Sequence, residues 1–272
     1  MAKTILGMLP ESRIYVEPFG GSGSLMWKKK AAPIEVYNDI DGDLVNLFRA
    51  IQSPERCALL EHRLTYTLHS REEFVRALQI LKDTSSSADD RAWAFFVGQN
   101  QGFSGIDSRK ATRGTWARAK HSYNGMSMKT SGWLTKTAMF KQWHDRIKRV
   151  TIENDDALNV IKYWDSENTV FYLDPPYVNE TRRSGEYSHE IDDNYHHKLI
   201  ELLLTISGDA VLSGYPHPIY DALEKAGWQI YEKKVICRID SNQHIPNGVD
   251  RNRTEKLWIK IRNGKGVNLT MF

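Results

Sequence analysis

The residues whose types and order could do chemistry are gathered in NTVFYLDPPYVNE, residues 168–180. Val170, Phe171, Tyr172 and Leu173 form an unbroken apolar run, the pattern of a strand covered on both faces, and the run stops at Asp174, Pro175, Pro176 and Tyr177. Two prolines forbid extension of the strand and an immediate helix, so Asp174 is delivered to the rim of a sheet, where open parallel sheets bind ligands. Prolines carry no N–H, and Pro176 restricts Pro175 to an extended conformation. The segment therefore presents a carboxylate and fixed carbonyls. An acceptor-only cradle is matched to an amino group. In an aromatic exocyclic amine the lone pair is delocalised into the ring, and two acceptors taking its N–H bonds push the nitrogen towards a pyramidal, nucleophilic state. Tyr177 adds a face on which a base could stack, a contribution on the order of 1–3 kcal/mol. The plainer alternative is an Asp-Pro turn beside a core tyrosine.

A second constellation is IYVEPFGGSGS, residues 14–24. It reads as a strand turning through glycines into a helix from about Leu25, which lets a ligand approach the backbone and use the helix amino end. Lys28 is misplaced for a P-loop, and Met26 stands where a dinucleotide fingerprint needs its third glycine. A tight turn with no ligand is the alternative. EVYNDID then puts Asp39 and Asp41 at the end of a second strand, about where an acid accepts hydrogen bonds from a ribose diol in nucleoside-binding sheets. Together the two stretches favour a nucleoside ligand without a pyrophosphate.

The remaining elements must hold these two stretches. A chain of 272 residues with 40% apolar residues can bury a real core, as one large domain or a domain carrying an insertion. Its longest apolar candidate, LIELLLTI, is far short of a membrane span, and Pro10 breaks the amino-terminal stretch before it could form a signal peptide. A cytoplasmic chain with no membrane partner is expected. Cys57 and Cys237 are too few for a disulfide framework and lack metal-type spacing, which agrees with a reducing compartment.

Strands are predicted near residues 13–16 and 34–38, then in VTIEN, TVFYLD, DAVLSG, IYEKKVIC and EKLWIKI. Helices are predicted from Leu44, where Leu44, Leu47, Phe48 and Ile51 share a face and Asp41 or Asp43 can cap, and in CALLEHRL, EEFVRALQIL, RAWAFFVG and YHHKLIELLLTI. DTSSSADD, residues 83–90, reads as a solvated connection. The economical parse is one α/β sheet domain, 1–52 and 150–272, interrupted by an insertion at 53–149.

The net charge of +3 is mild, but between Arg109 and Arg149 the only acid is Asp145, against eleven lysines and arginines. A solvated basic surface would give the same count. Trp116, Tyr123, Asn124 and Trp133, interleaved with glycines, look more like loops that read a nucleic-acid groove. SHEIDDNYHH invites a metal site, but acids before a helix complement its dipole and adjacent histidines diverge on a helix, so no metal is expected.

YVEPFGGSGS, EVYNDIDGDLVNLFRAI, a basic insertion, FYLDPPY, VLSGY and RTEKLWIK, in that order from about Tyr15 to Lys260, resemble the Dam-like alpha group of adenine-specific DNA methyltransferases of bacteria and phages. The resemblance implies a Rossmann-like, S-adenosylmethionine-dependent methyltransferase sheet of the α/β class, with an inserted, mostly helical and loop target-recognition region. It implies methyl transfer from S-adenosylmethionine to the exocyclic amine of an adenine flipped out of double-stranded DNA. It places the cofactor against Tyr15, Glu17, Pro18, Phe19, Gly20, Gly21, Ser22, Gly23, Asp39 and Ile40. Asp156 would contact the cofactor adenine, with Asp155 as an adjacent rival. Asp174 would sit beside the cofactor and, with Pro175, Pro176 and Tyr177, hold the target base.

Candidate DNA contacts are Arg109, Lys110, Arg113, Arg118, Lys120, Tyr123, Asn124 and Lys129 in the insertion, and Arg182, Arg183, Arg251 and Arg253 near the flipped base. One departure is the start of the chain: the family usually carries a Gly-Gly-Lys there, and this chain begins Met1-Ala2-Lys3, so either Lys3 substitutes or that corner of the cofactor site is incomplete. The rivals are methylation of a cytosine exocyclic amine or of a protein glutamine, and a non-catalytic DNA-binding protein that keeps the fold. The implied setting is the cytoplasm of a bacterium or phage-infected host, with a cognate restriction endonuclease as a further partner and a monomer or weak dimer as the assembly.

Overall fold

A computed structural model of the chain describes residues 2–103, 111–178, 191–236 and 252–262. In chain order the elements are α1 (Ala2–Met8), β1 (Ile14–Glu17), β2 (Ile34–Asn38), α2 (Gly42–Gln52), α3 (Pro54–Thr65), α4 (Arg71–Lys82) and α5 (Ala88–Gln101). A hairpin of β3 (Ser122–Tyr123) and β4 (Met126–Ser127) leads to α6 (Met128–Thr137) and α7 (Phe140–Ile147). Then follow β5 (Thr151–Glu153), α8 (Ala157–Trp164), β6 (Thr169–Leu173), α9 (Asp193–Thr205), β7 (Asp209–Gly214), α10 (Asp221–Lys225), β8 (Gln229–Ile236) and β9 (Asn252–Lys260).

The described residues divide into two compact units, one from 1–39, 155–184 and 190–272 and the other from 40–154. The six strands of the first unit run β2-β1-β6-β7-β9-β8 in one sheet. β1 is parallel to β2 and to β6, β6 is parallel to β7, and β9 is antiparallel to both β7 and β8. β6 is buried along its whole length, as its apolar run requires.

Alternation at period two sorts the core onto the two faces. Val16, Phe171, Leu173 and Leu212 pack with Leu199 and Leu203 of α9 and Val160 and Ile161 of α8. Tyr15, Val170, Tyr172 and Val211 pack with Ile5 and Met8 of α1. Neither α1 nor α8 was expected from the sequence. The helix expected from about Leu25 is absent: residues 24–28 form turns, in which Trp27 N–H reaches Gly23 O at 3.0 Å and Lys29 N–H reaches Leu25 O at 2.8 Å. Sixteen residues join β1 to β2, and the glycine turn takes up the first part of them.

The second unit is helical. α2 packs on α3, α5 and α7, and α4 packs on α5. Side chains cap the helices where the sequence offers them: Asp41 accepts from Asp43 N–H and Leu44 N–H, Ser53 from Arg56 N–H, Ser70 from Glu73 N–H, and Ser87 from Asp90 N–H. The compact units meet in sequence at 39/40 and 154/155, whereas the sequence parse put the boundaries at 52/53 and 149/150. The difference arises because α2 and β5 pack with each other and α2 with the neighbouring helices. No described helix is long and apolar enough to cross a membrane.

Candidate active site

The parallel strands β1, β6 and β7 end on one rim of the sheet, which brings together the turn after β1, the cradle after β6 and the Ser213-Gly214-Tyr215 segment at the end of β7. A cavity of about 180 Å³ opens there in the first unit, and Ser24 and Leu25, next to Gly23, line it together with Asp174, Tyr177 and Ser213.

Asp174 is exposed towards this cavity, but protein crowds its carboxyl. That desolvation raises its pKa above the ordinary carboxylate value, against opposing hydrogen bonds from Ser213, Tyr177 and Tyr172. Ser213 Oγ–H donates to Asp174 Oδ1 at 2.6 Å, and Tyr177 O–H donates to the same oxygen at 3.2 Å. The Tyr177 ring meets Tyr215 edge-on, with centroids 4.6 Å apart. Burial, reinforced by the Asp174 charge, raises the pKa of the Tyr172 and Tyr177 phenols, so both remain proton donors at neutral pH. Glu255 on β9 lines the same cavity; desolvation and the Asp174 charge raise its pKa.

The glycine turn is held from behind by β2. Tyr37 O–H donates to Gly21 O at 2.5 Å, Gly21 N–H donates to Asp39 Oδ2 at 2.9 Å, and Gly20 N–H donates to Asn38 O at 2.7 Å. Gly20 lies against the Tyr37 ring so closely that a Cβ there would be 2.1 Å from Tyr37 Cε2. Gly21 has φ +50° with open space where a Cβ would be, and Gly23 has φ +63°. The wholly buried Asn38 ties the turn to the strand ends: its Nδ2 donates to Pro18 O at 2.9 Å and Asp155 O at 3.0 Å, and its Oδ1 accepts from Asp155 N–H at 3.0 Å.

Several expected cofactor residues lie elsewhere than on an open surface. Tyr15 is fully buried in the core and donates to Glu17 Oε1 at 2.7 Å. Glu17 and Pro18 are also buried, Phe19 is half-buried, and Ser22 is exposed. Ile40 is 50% exposed. Asp156 caps α8 by accepting from Leu158 N–H at 2.8 Å and also accepts from Tyr195 O–H at 3.1 Å, whereas the Asp155 side chain is exposed and accepts from Asp156 N–H. Pro175 is buried and Pro176 half-buried beside Asp174. Lys3 is exposed on α1, while Ala2 and Ile5 of that helix line the cavity. In SHEIDDNYHH, Asp192 caps α9, His196 is buried and His197 is exposed; His189 and Glu190 lie outside the described residues.

In the second unit, Arg118, Lys120, Tyr123 and Asn124 are exposed and Lys129 is half-buried, around a hairpin whose Asn124-Gly125 turn has φ +51° and +74°. Those dihedrals fit the tight hairpin turns that Asn-Gly favours. Trp133, expected to read a groove, is instead buried, with its indole N–H donating to Thr67 O at 2.8 Å. Trp116 is also part of the packing, against Phe74 and Leu78 with the Arg71 guanidinium over its ring. Arg113 lies in a turn at Arg113–Thr115, and Arg253 on β9. Arg109, Lys110, Arg182, Arg183 and Arg251 lie outside the described residues.

The sequence reading gave no role to Ser213, Asn38, Tyr37, Tyr172, Tyr215 or Glu255. VLSGY carried the one available signal, a small hydroxyl residue closing the strand beside the Asp174 strand.

A mostly parallel sheet with a glycine turn and an acceptor cradle on one rim defines a Rossmann-like methyltransferase. More narrowly, the model of the D12 class N6 adenine-specific DNA methyltransferase family matches residues 1–237, and the chain belongs to that family. No match is found among curated proteins. Family membership makes the chain an adenine-specific DNA methyltransferase and sets aside the cytosine-directed and non-catalytic alternatives. The family is S-adenosylmethionine-dependent.

Proposed function

We propose that the cavity on the β1–β6–β7 rim is where the adenine amine and the methyl donor meet. The observation that carries this reading is the shared cavity: the cradle carboxylate of Asp174 and the residues next to Gly23 line one space. The glycine turn fits a bound S-adenosylmethionine because its backbone is open at Gly21 and because Asp39, already braced on Gly21 N–H, keeps a carboxylate at the strand end where ribose hydroxyls are held. When bound, the cofactor supplies an activated methyl group on a sulfonium.

The work left to the chain is to bind and orient. An adenine flipped from the duplex, at a cost of a few kcal/mol, donates its N6 hydrogens to Asp174 and to the Pro175 carbonyl, with Tyr177 against its face. The two acceptors stabilise positive charge as it develops on the nitrogen and line it up for in-line attack. Asp174 need not be a strong base, because the nitrogen becomes acidic only as the new bond forms. The exposed hairpin, with Arg118, Lys120, Tyr123 and Asn124, supports a reading in which the second unit engages the duplex: basic side chains set register on phosphates and the hairpin tip reaches the groove.

Asp174→Ala tests the assignment. Its turnover should be lost while its affinity for the duplex stays close to wild type; equal loss of both would count against Asp174 as a group that acts on the flipped base.

A further inference from the structure

The two oxygens of Asp174 are not equivalent. Oδ1 accepts from Ser213 Oγ–H at 2.6 Å and from Tyr177 O–H at 3.2 Å, and the Tyr172 hydroxyl adds a weaker hydrogen bond to the carboxylate. Ser213 is nearly fully buried and fixed by its strand, because Ser213 pairs with Leu257 of β9 on one side and β7 pairs with β6 on the other. Tyr177, by contrast, follows two prolines on the open side of the cavity and contacts Tyr215 through its ring.

We propose that Ser213 is a positioning residue for methyl transfer: its hydroxyl occupies Oδ1 of Asp174 and thereby presents Oδ2 to the adenine amine. This rests on the reading of the cavity given above. Three observations carry it. First, a carboxylate rotates freely about its last torsion unless one oxygen is held, and the shorter bond comes from the residue with least freedom to move. Second, no lysine or arginine lines the cavity among the described residues; the titratable groups facing Asp174 are Tyr172, Tyr177, Tyr220 and Glu255. Neutral donors are therefore what opposes the desolvation of the carboxylate, and Ser213 is the foremost of them. Third, when a base enters, Tyr177 must turn its face to it and its O–H bond to Asp174 is the one free to lengthen, whereas Ser213 stays in place.

The Ser213 hydrogen bond favours the charged form, so its removal moves the Asp174 titration to higher pH, and the acidic limb of kcat/KM moves with it. The test compares Ser213→Ala, Ser213→Thr and Ser213→Val, with Asp174→Ala alongside. The readouts are steady-state kinetics on duplex DNA, pH profiles and S-adenosylmethionine binding by calorimetry. Thr and Val have the same bulk and differ in the hydroxyl, so they separate hydrogen bonding from packing even where the Ala variant folds poorly.

Ser213→Ala and Ser213→Val should lose about 10- to 100-fold in kcat, keep the KM for DNA and the cofactor affinity, and show the acidic limb at higher pH. Ser213→Thr should restore most of the rate and the wild-type limb. The proposal is overturned if Thr and Val behave alike, or if the rate falls with the limb unmoved. Full turnover by Asp174→Ala would instead overturn the underlying reading of the cavity. An inactive Asp174→Ala beside indistinguishable Thr and Val variants would overturn the role of Ser213 alone.

Discussion

Gly20→Ala probes the most tightly determined contact in the site. The new Cβ would lie 2.1 Å from Tyr37 Cε2 and 2.6 Å from both Cδ2 and Cζ, so the ring would have to withdraw by more than 1 Å to restore ordinary contact. Tyr37 is fully buried, and its hydroxyl holds Gly21 O at 2.5 Å. Overpacking of a close-packed site costs about 1–3 kcal/mol, and loss of the hydroxyl bond adds about 0.5–1.5 kcal/mol. A destabilisation of about 2–4 kcal/mol is therefore expected, visible as a lower urea midpoint with an unchanged slope. The turn should also lose its shape, weakening S-adenosylmethionine at least 10-fold by calorimetry. Replacing Tyr37 as well gives a sharper check: Tyr37→Leu in the Gly20→Ala background removes the clash, so the double variant should cost less than the sum of the singles. Wild-type stability and cofactor affinity in Gly20→Ala, or strict additivity in the pair, would refute the argument.

Two further outcomes concern the second unit. Arg91 grips Asp43 through two bonds, Nε to Oδ1 and Nη2 to Oδ2, both at 2.8 Å, with the carboxylate almost covered. Arg91→Ala should cost about 2–4 kcal/mol in denaturant unfolding, because it strands a covered charge, and adding Asp43→Ala should recover part of the loss; a cost below about 0.5 kcal/mol, in the range of an ordinary surface change, would contradict that. Cys57 is buried and desolvation pushes its thiol pKa up to about 11, so in a Cys237→Ser background it should resist a thiol-specific disulfide reagent at pH 8 until the chain is unfolded. Complete labelling of the folded protein within minutes would be the contrary result.

The legible parts of the site were those that a strand end imposes. The apolar run of β6 has no partial solution, and its five residues are all buried, so the position of Asp174 on the rim followed from Pro175 and Pro176 alone. Asp41 and Asp43 both precede an amphipathic run as candidate caps, and Asp41 is the one that serves.

What escaped was set by neighbours in space. Ser213 becomes meaningful only when the β6–β7 register puts it beside Asp174, and nothing in a lone serine announces that. α1 has no acid in its first turn and no base in its last, so it lacked the usual end signals. α6 has no side-chain cap bond and contains Gly132 and several threonines, so propensity did not declare it; packing around Trp133 accompanies it instead. The same tryptophan was misread because an aromatic among glycines and bases looks exposed until the helix that carries it is known. The helix expected after the glycine turn is replaced by turns: Trp27 N–H bonds to Gly23 O and Lys28 and Lys29 N–H to Leu25 O, but no regular helix follows.

The most direct test of the central claim is mass spectrometry of nucleosides from duplex DNA incubated with the chain and methyl-deuterated S-adenosylmethionine. The labelled methyl is expected on the N6 of deoxyadenosine with the wild-type chain and nowhere with Asp174→Ala. Label on cytosine, or undiminished label on adenine with Asp174→Ala, would contradict it.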